Sequence, residues 1–205
     1  MTVTSFKFTQ YILLSIFTAF SLSAYASVNV SKPAPDFTGV DSHGSKHSLS
    51  QYKGKTVVLE WTNHDCPYVK KHYNSGNMQK LQKHATANDI VWLSIISSKP
   101  GKQGHVSGEQ ANELTRSRNA VPTAVILDET SEIGLLYGAK TTPHMYIIDK
   151  TGQLVYMGGI DNIPSKDEED ITGAKNYVRV ALDAIATGKT IEDSITRPYG
   201  CSVKY

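Results

Sequence analysis

The residue best placed to do chemistry is Cys66. It stands in the run Leu59-Glu60-Trp61-Thr62-Asn63-His64-Asp65-Cys66-Pro67-Tyr68-Val69-Lys70-Lys71-His72, where an apolar strand pattern gives way to an amphipathic helical one. A thiol at a helix start faces unpaired backbone N–H groups and the positive end of the helix dipole, and both favour a thiolate. A thiolate is a nucleophile and a soft metal ligand. The ordinary alternative is a buried structural thiol, since cysteine packs well in cores. The only other cysteine is Cys201. It lies so far along the chain that any pairing with Cys66 depends on the fold. It could be a disulfide partner or a free thiol, and an oxidising compartment would permit the former.

Two further groups could assist. Glu60 interrupts an apolar strand, and burying an acid there is costly. It could relay a proton to or from Cys66, its pKa raised by burial. The plainer reading is a strand-end carboxylate facing water. With Cys66, the imidazoles of His64, His72 and His144 could form a mixed N/S site for Cu(I) or Zn(II). His72 lies nearly two helical turns from Cys66, a poor ligand geometry, and a solvated surface histidine is its simpler reading.

The elements that must position these residues follow from pattern. Strands are expected over residues 56–61, 90–96, 123–127, 144–148 and 154–157, the last two joined by the turn Lys150-Thr151-Gly152. Helices are expected from Pro67 to about residue 83, weakened or kinked at Gly76, and over 107–119, 131–137 and 174–186. Residues 40–49 read as a turn about Gly44, and 163–172 as an acidic loop. The segment 196–205 has turn residues and no periodicity, and so suits a thiol that must travel. Alternating strands and helices with a closing hairpin argue for an α/β fold around a central mixed sheet with helices on both faces.

The opening residues read as a leader. Lys7 precedes an apolar stretch beginning at Tyr11, and Ala24-Tyr25-Ala26 offers small residues where a signal peptidase cuts. The expected organisation is a cleaved signal peptide over 1–26, one domain over 27–195, and a tail over 196–205 carrying Cys201. The protein is therefore expected to be exported, to a periplasm or beyond, with no membrane segment after processing. A formal net charge of +2 over 205 residues offers nothing for nucleic acid to recognise. No cofactor is expected.

Four stretches now carry a resemblance. Ala34-Pro35-Asp36-Phe37, the run from Leu49 to Leu59, Cys66-Pro67 at a strand–helix junction, and Thr142-Pro143-His144-Met145-Tyr146-Ile147-Ile148-Asp149 together resemble the thioredoxin superfamily. Within it they resemble the redoxin, or alkyl hydroperoxide reductase–thiol-specific antioxidant, branch. The resemblance implies a thioredoxin-like fold and a cis Thr142–Pro143 bond beside Cys66. The Thr142 backbone would then be free to pair with an extended substrate or to contact the thiol. It also implies a buried acid six residues before the active cysteine, a slot that Glu60 fills. Thioredoxins carry Cys-x-x-Cys, but here the second position is Val69. Peroxiredoxins place Thr or Ser, Pro and Arg around the reactive cysteine, and those slots hold Asn63, Leu59 and Pro143. The chain is thus similar to a peroxiredoxin-like group with one cysteine in its motif. Cys66 would attack a peroxide or a disulfide, and Cys201 would resolve the product, as C-terminal cysteines do in many peroxiredoxins. An external thiol reductant such as a thioredoxin-like protein would reset the pair. A static Cys66–Cys201 disulfide in an inert interaction domain, and a metal-binding module, remain open alternatives.

Overall fold

A computed structural model describes Met1 and residues 28–205, and beyond Met1 the expected leader lies outside them. Among these described residues nine strands and five helices follow one another, with two 3-10 turns at Leu49–Tyr52 and Glu168–Thr172. The strands are β1 Thr38–Asp41, β2 Lys46–Ser48, β3 Val57–Trp61, β4 Val91–Ile96, β5 Ala124–Leu127, β6 Thr141–Thr142, β7 His144–Ile148, β8 Leu154–Gly158 and β9 Cys201–Ser202. The helices are α1 Pro67–Asn74, α2 Asn77–Ala87, α3 Gly108–Ser117, α4 Glu132–Tyr137 and α5 Tyr177–Ala186.

Seven strands form one sheet in the order β2-β1-β5-β4-β3-β7-β8. β3 lies parallel to β4 and β4 to β5, while β7 runs antiparallel to both β3 and β8, so the sheet is mixed. All five residues of β3 are buried, which suits its apolar, β-branched sequence and central position. Its alternation divides two cores. Val57, Leu59 and Trp61 face a cluster with Leu93, Ile95, Tyr146 and Tyr137 of α4. Val58 faces the opposite cluster, with Trp92, Met145, Val69 of α1, Leu81 of α2 and Leu182 of α5. Helices therefore cover both faces, as the sequence implied.

Three local expectations change. The single helix from Pro67 becomes two, because Gly76 takes a left-handed φ of 70° as the cap of α2. Residues 40–49 are not only a turn: β1 and β2 form a hairpin about Gly44, and β1 also pairs with β5. The segment 196–205 is no free arm. Thr196 N–H donates to the Met157 carbonyl at 3.1 Å, Val203 N–H to Lys140 at 3.1 Å, and the Tyr205 hydroxyl to the Ala139 carbonyl at 2.6 Å. Its residues Cys201–Ser202 form β9, antiparallel to β6.

Candidate redox site

Two features of the sheet bring the site together. β3 ends at Trp61, and five residues later Cys66 caps α1 with extended φ/ψ, followed by Pro67 at the first helical position. The antiparallel register of β3 and β7 sets Trp61 opposite His144. The start of β7, with the cis Thr142–Pro143 bond, thus lies at the end of β3 from which the cysteine loop departs. Ligand sites in α/β sheets gather at such strand ends.

Asn63 shapes the loop. It is 1% exposed; its Oδ1 accepts from Asp65 N–H at 2.9 Å and its Nδ2 donates to the Gln103 carbonyl at 3.2 Å. Gly104 packs so closely on it that a Cβ there would lie 2.3 Å from the Asn63 side chain. The residue in the peroxiredoxin Thr/Ser slot is therefore committed to holding the loop.

Cys66 is 0% exposed, yet it is at the helix start and beside the cis peptide. Its thiol donates to the Thr142 carbonyl at 3.1 Å, and its Sγ accepts from Cys201 N–H at 3.4 Å. β9 supplies this second contact, because its register sets Cys201 opposite Thr142. Gly200 makes the approach possible: its φ is 139°, and a Cβ there would stand 2.0 Å from the Thr142 oxygen. The two thiols also hydrogen-bond each other, and both are free.

The two sulfurs are electrostatically unequal. Burial pushes the Cys66 pKa up, but hydrogen bonds from the Cys201 thiol, from the backbone N–H groups of Cys201 and Val69, and from the Thr142 side chain outweigh it. The net result lies below the usual 9. The Thr142 carbonyl, an acceptor, favours the protonated form and works against them. Burial, and then the neighbouring Cys66, push Cys201 up to about 11. The shifts run in opposite directions, so of the two thiols Cys66 gives up its proton first.

Glu60 is 0% exposed on β3 and faces the same core as Cys66. Four donors surround it: Tyr73 at 2.9 Å, Trp92 Nε1 at 2.8 Å, Ser94 at 2.9 Å and Gln82 at 3.4 Å. Burial pushes its pKa up, against these hydrogen bonds. The strand-end reading facing water is thus wrong. No hydrogen bond among the described residues joins Glu60 to Cys66, so a relay has no direct contact to use.

The histidines do not gather on the thiol. His72 is fully buried between the Tyr199 hydroxyl, 3.1 Å from its Nε2, and Asn77, 2.9 Å from its Nδ1, which corrects its reading as a surface residue. His144 is buried against Lys140 N–H and the Tyr146 hydroxyl, both at 3.2 Å, and burial lowers its pKa to about 3. His64 lies near Asp65, and its pKa is lowered by burial. Among the described residues no group of three or more His, Cys, Asp or Glu is disposed to hold a metal ion.

Sequence reasoning missed the support beneath the tail. Tyr199, two residues before Cys201, packs edge-on against Tyr68 of α1, and its hydroxyl donates to Asp161 at 2.5 Å. Asp161 in turn lies 3.8 Å from the buried Lys71 ammonium. An internal lysine on an otherwise amphipathic helix was the one available signal.

A cysteine at a strand–helix junction, facing a cis-proline strand in a mixed sheet covered on both sides, defines a thioredoxin-like protein. The profile of the Redoxin family matches residues 29–175, and the chain belongs to that family. It is similar to the thiol–disulfide oxidoreductase ResA of Geobacillus thermodenitrificans, with 24% identity over 150 residues, 70% of this chain and 80% of the relative. Among solved structures it resembles an uncharacterized conserved protein from Geobacillus kaustophilus, at 25% identity and a TM-score of 0.72, over 86% of this chain and 92% of the other. A hypothetical protein from Sinorhizobium meliloti also has a TM-score of 0.72, at 19% identity, over 88% and 96% of the two chains.

Proposed function

We propose that this protein is an exported thiol oxidoreductase that cycles Cys66 and Cys201 between dithiol and disulfide. The observation that carries the reading is β9, which seats Cys201 against the Cys66 sulfur from 135 residues away. The pair does the work of two cysteines in one motif, and it explains why Val69 can stand where a second motif thiol would be.

In the oxidising half of the cycle the Cys66 thiolate attacks a disulfide, forming a mixed disulfide and expelling one thiolate. Cys201, once deprotonated, attacks the Cys66 sulfur, closes the internal disulfide and releases the second thiolate. With a peroxide, Cys66 instead becomes a sulfenic acid and the alcohol or water leaves. Cys201 then condenses with it, releasing water. Disulfide exchange is favoured, because Asn63 is engaged in the loop and Pro143 stands where a peroxide-polarising Arg would be. An external dithiol returns the pair to the reduced state. The names of the ResA relatives support thiol–disulfide chemistry, and the leader expected over 1–26 supports export.

Oxidation of the purified protein with a small-molecule oxidant tests the reading. Non-reducing mass spectrometry should find one intramolecular disulfide that dithiothreitol opens, protecting both cysteines from maleimide until then. Two cysteines still open to alkylation after oxidation would refute it. A reduction potential well below about −300 mV would instead mark the bond as static.

A further inference from the structure

We propose that the cavity beside the two cysteines selects disulfides that carry a carboxylate, and that Arg197 is the residue that reads the charge. The proposal rests on the redox pair argued above and names the class of disulfide it takes.

The cavity has a volume of about 520 Å3 and is lined by Thr141, Asp161, Asn162, Tyr177, Arg197 and Gly200. That volume suits a small molecule, whose sites commonly span about 300–1,000 Å3. Thr141 and Gly200 directly precede Thr142 and Cys201, the two residues whose backbone contacts the Cys66 sulfur. The space therefore adjoins the reacting groups. Cys66 is covered by β9, so its thiolate reaches an outside disulfide only when that edge parts. A disulfide in the cavity is held against the same edge.

The side chains around this space offer donors. Arg197 is exposed, and among the described residues its guanidinium has no ion-pair partner. Asn162 spends its Oδ1 on the Lys175 N–H at 2.7 Å, which leaves its Nδ2 group free to donate. The acceptors are engaged elsewhere. Asp161 is 2% exposed; its Oδ1 takes the Tyr199 hydroxyl at 2.5 Å and the Ile163 N–H at 3.0 Å, and its Oδ2 lies 3.8 Å from the Lys71 ammonium. It has little to offer an incoming cation. The acids of the 3-10 turn Glu168–Thr172 do not line the cavity. A guanidinium beside a free amide N–H matches the two oxygens of a carboxylate, and a fixed cation also favours the approach of anions.

Arg197 acts on binding and leaves the sulfur chemistry as it is. The Cys66 thiolate attacks the near sulfur of the held disulfide, that S–S bond breaks, and its electron pair leaves on the far thiolate. Cys201 then closes the internal disulfide and releases the second thiolate.

The reduced protein is mixed in turn with dithiodipropionate, which carries two carboxylates, with the neutral hydroxyethyl disulfide, and with cystamine, which carries two ammonium groups. Formation of the internal disulfide is followed by mass after acid quench and alkylation. Each rate is divided by that of the same disulfide with 2-mercaptoethanol, which removes intrinsic reactivity. On this scale wild type should take dithiodipropionate at least about tenfold faster than cystamine, with the neutral probe between them. High salt should shrink the ratio. Arg197→Lys should keep the order, Arg197→Gln should remove most of the preference, and Arg197→Glu should reverse it. An undiminished ratio in Arg197→Gln, or cystamine as the fastest probe in wild type, would overturn the proposal while leaving the redox pair intact. If no probe yields the internal disulfide, the proposal falls with the pair. Peptide disulfides with Glu or Lys beside the cysteine repeat the comparison. The same dependence on Arg197 extends the selection to acidic polypeptides, and its absence there confines it to small molecules.

Discussion

At the scale of single residues, Cys66 shows burial and hydrogen bonding in open competition. Losing water raises its pKa, and a set of donors more than reverses this. One of those donors is the Cys201 thiol, so Cys201→Ala should raise the Cys66 pKa, read from the ultraviolet absorbance of the thiolate against pH. The sign for stability follows. A folded pKa below the unfolded value stabilises the protein above the unfolded pKa, and this contribution disappears as pH falls through the folded one. The variant should lose part of that alkaline stabilisation. Glu60 has the opposite sign. Its folded pKa is raised, so the folded state holds a proton that the unfolded state has released, and stability falls as pH rises above about 4.5. Glu60→Gln should flatten that slope, which for one proton is no steeper than about 1.4 kcal/mol per pH unit, in urea titrations across the acid range. The sequence showed that Glu60 was out of place but not where it would go. Its donors Tyr73, Gln82, Trp92 and Ser94 come from α1, α2 and β4, and only the packed sheet brings them together.

At the scale of elements, the decisive piece is β9. Gly200→Ala places a methyl group into the Thr142 carbonyl, at a φ that alanine rarely adopts. It should lift the strand, and maleimide should then modify Cys66 in the reduced protein at least tenfold faster than in wild type. Tyr199→Phe removes the hydroxyl shared with Asp161 and His72. It should weaken tail docking by about 1–3 kcal/mol, seen as faster amide exchange in residues 196–205. The sequence could not announce β9. Two residues have no periodicity, and their conformation is set by the β6 edge they pair with. The strands β3, β4, β5, β7 and β8 were legible because each is a largely apolar run bounded by turn residues. The hairpin of β1 and β2 was less so, since Lys46, His47 and Ser48 carry no alternating apolar face. Gly76 was recognised as a weak point, but its left-handed φ turns a kink into a break between α1 and α2.

For the molecule as a whole, the Cys66–Cys201 link would close a loop across most of the domain. Chain-entropy arguments give such a loop, 135 residues long, about 5 kcal/mol of stabilisation before any strain is subtracted. The oxidised protein should therefore melt above the reduced one in calorimetry, and Cys66→Ser should abolish the difference. The fold class was readable from the order of elements and the cis-proline strand. That Cys201 would meet Cys66 was only one of several open options, because the meeting depends on β7 running antiparallel to β3 and on the tail crossing the start of β7.

The position of the second sulfur also sets an order of events during synthesis. Residue 66 leaves the ribosome well before residue 201; β1, β2 and β3 precede it, and the other four strands of the main sheet and all five helices emerge in between. A nascent chain thus carries an unmated thiol until residue 201 arrives, and by then every strand of the main sheet has been synthesised.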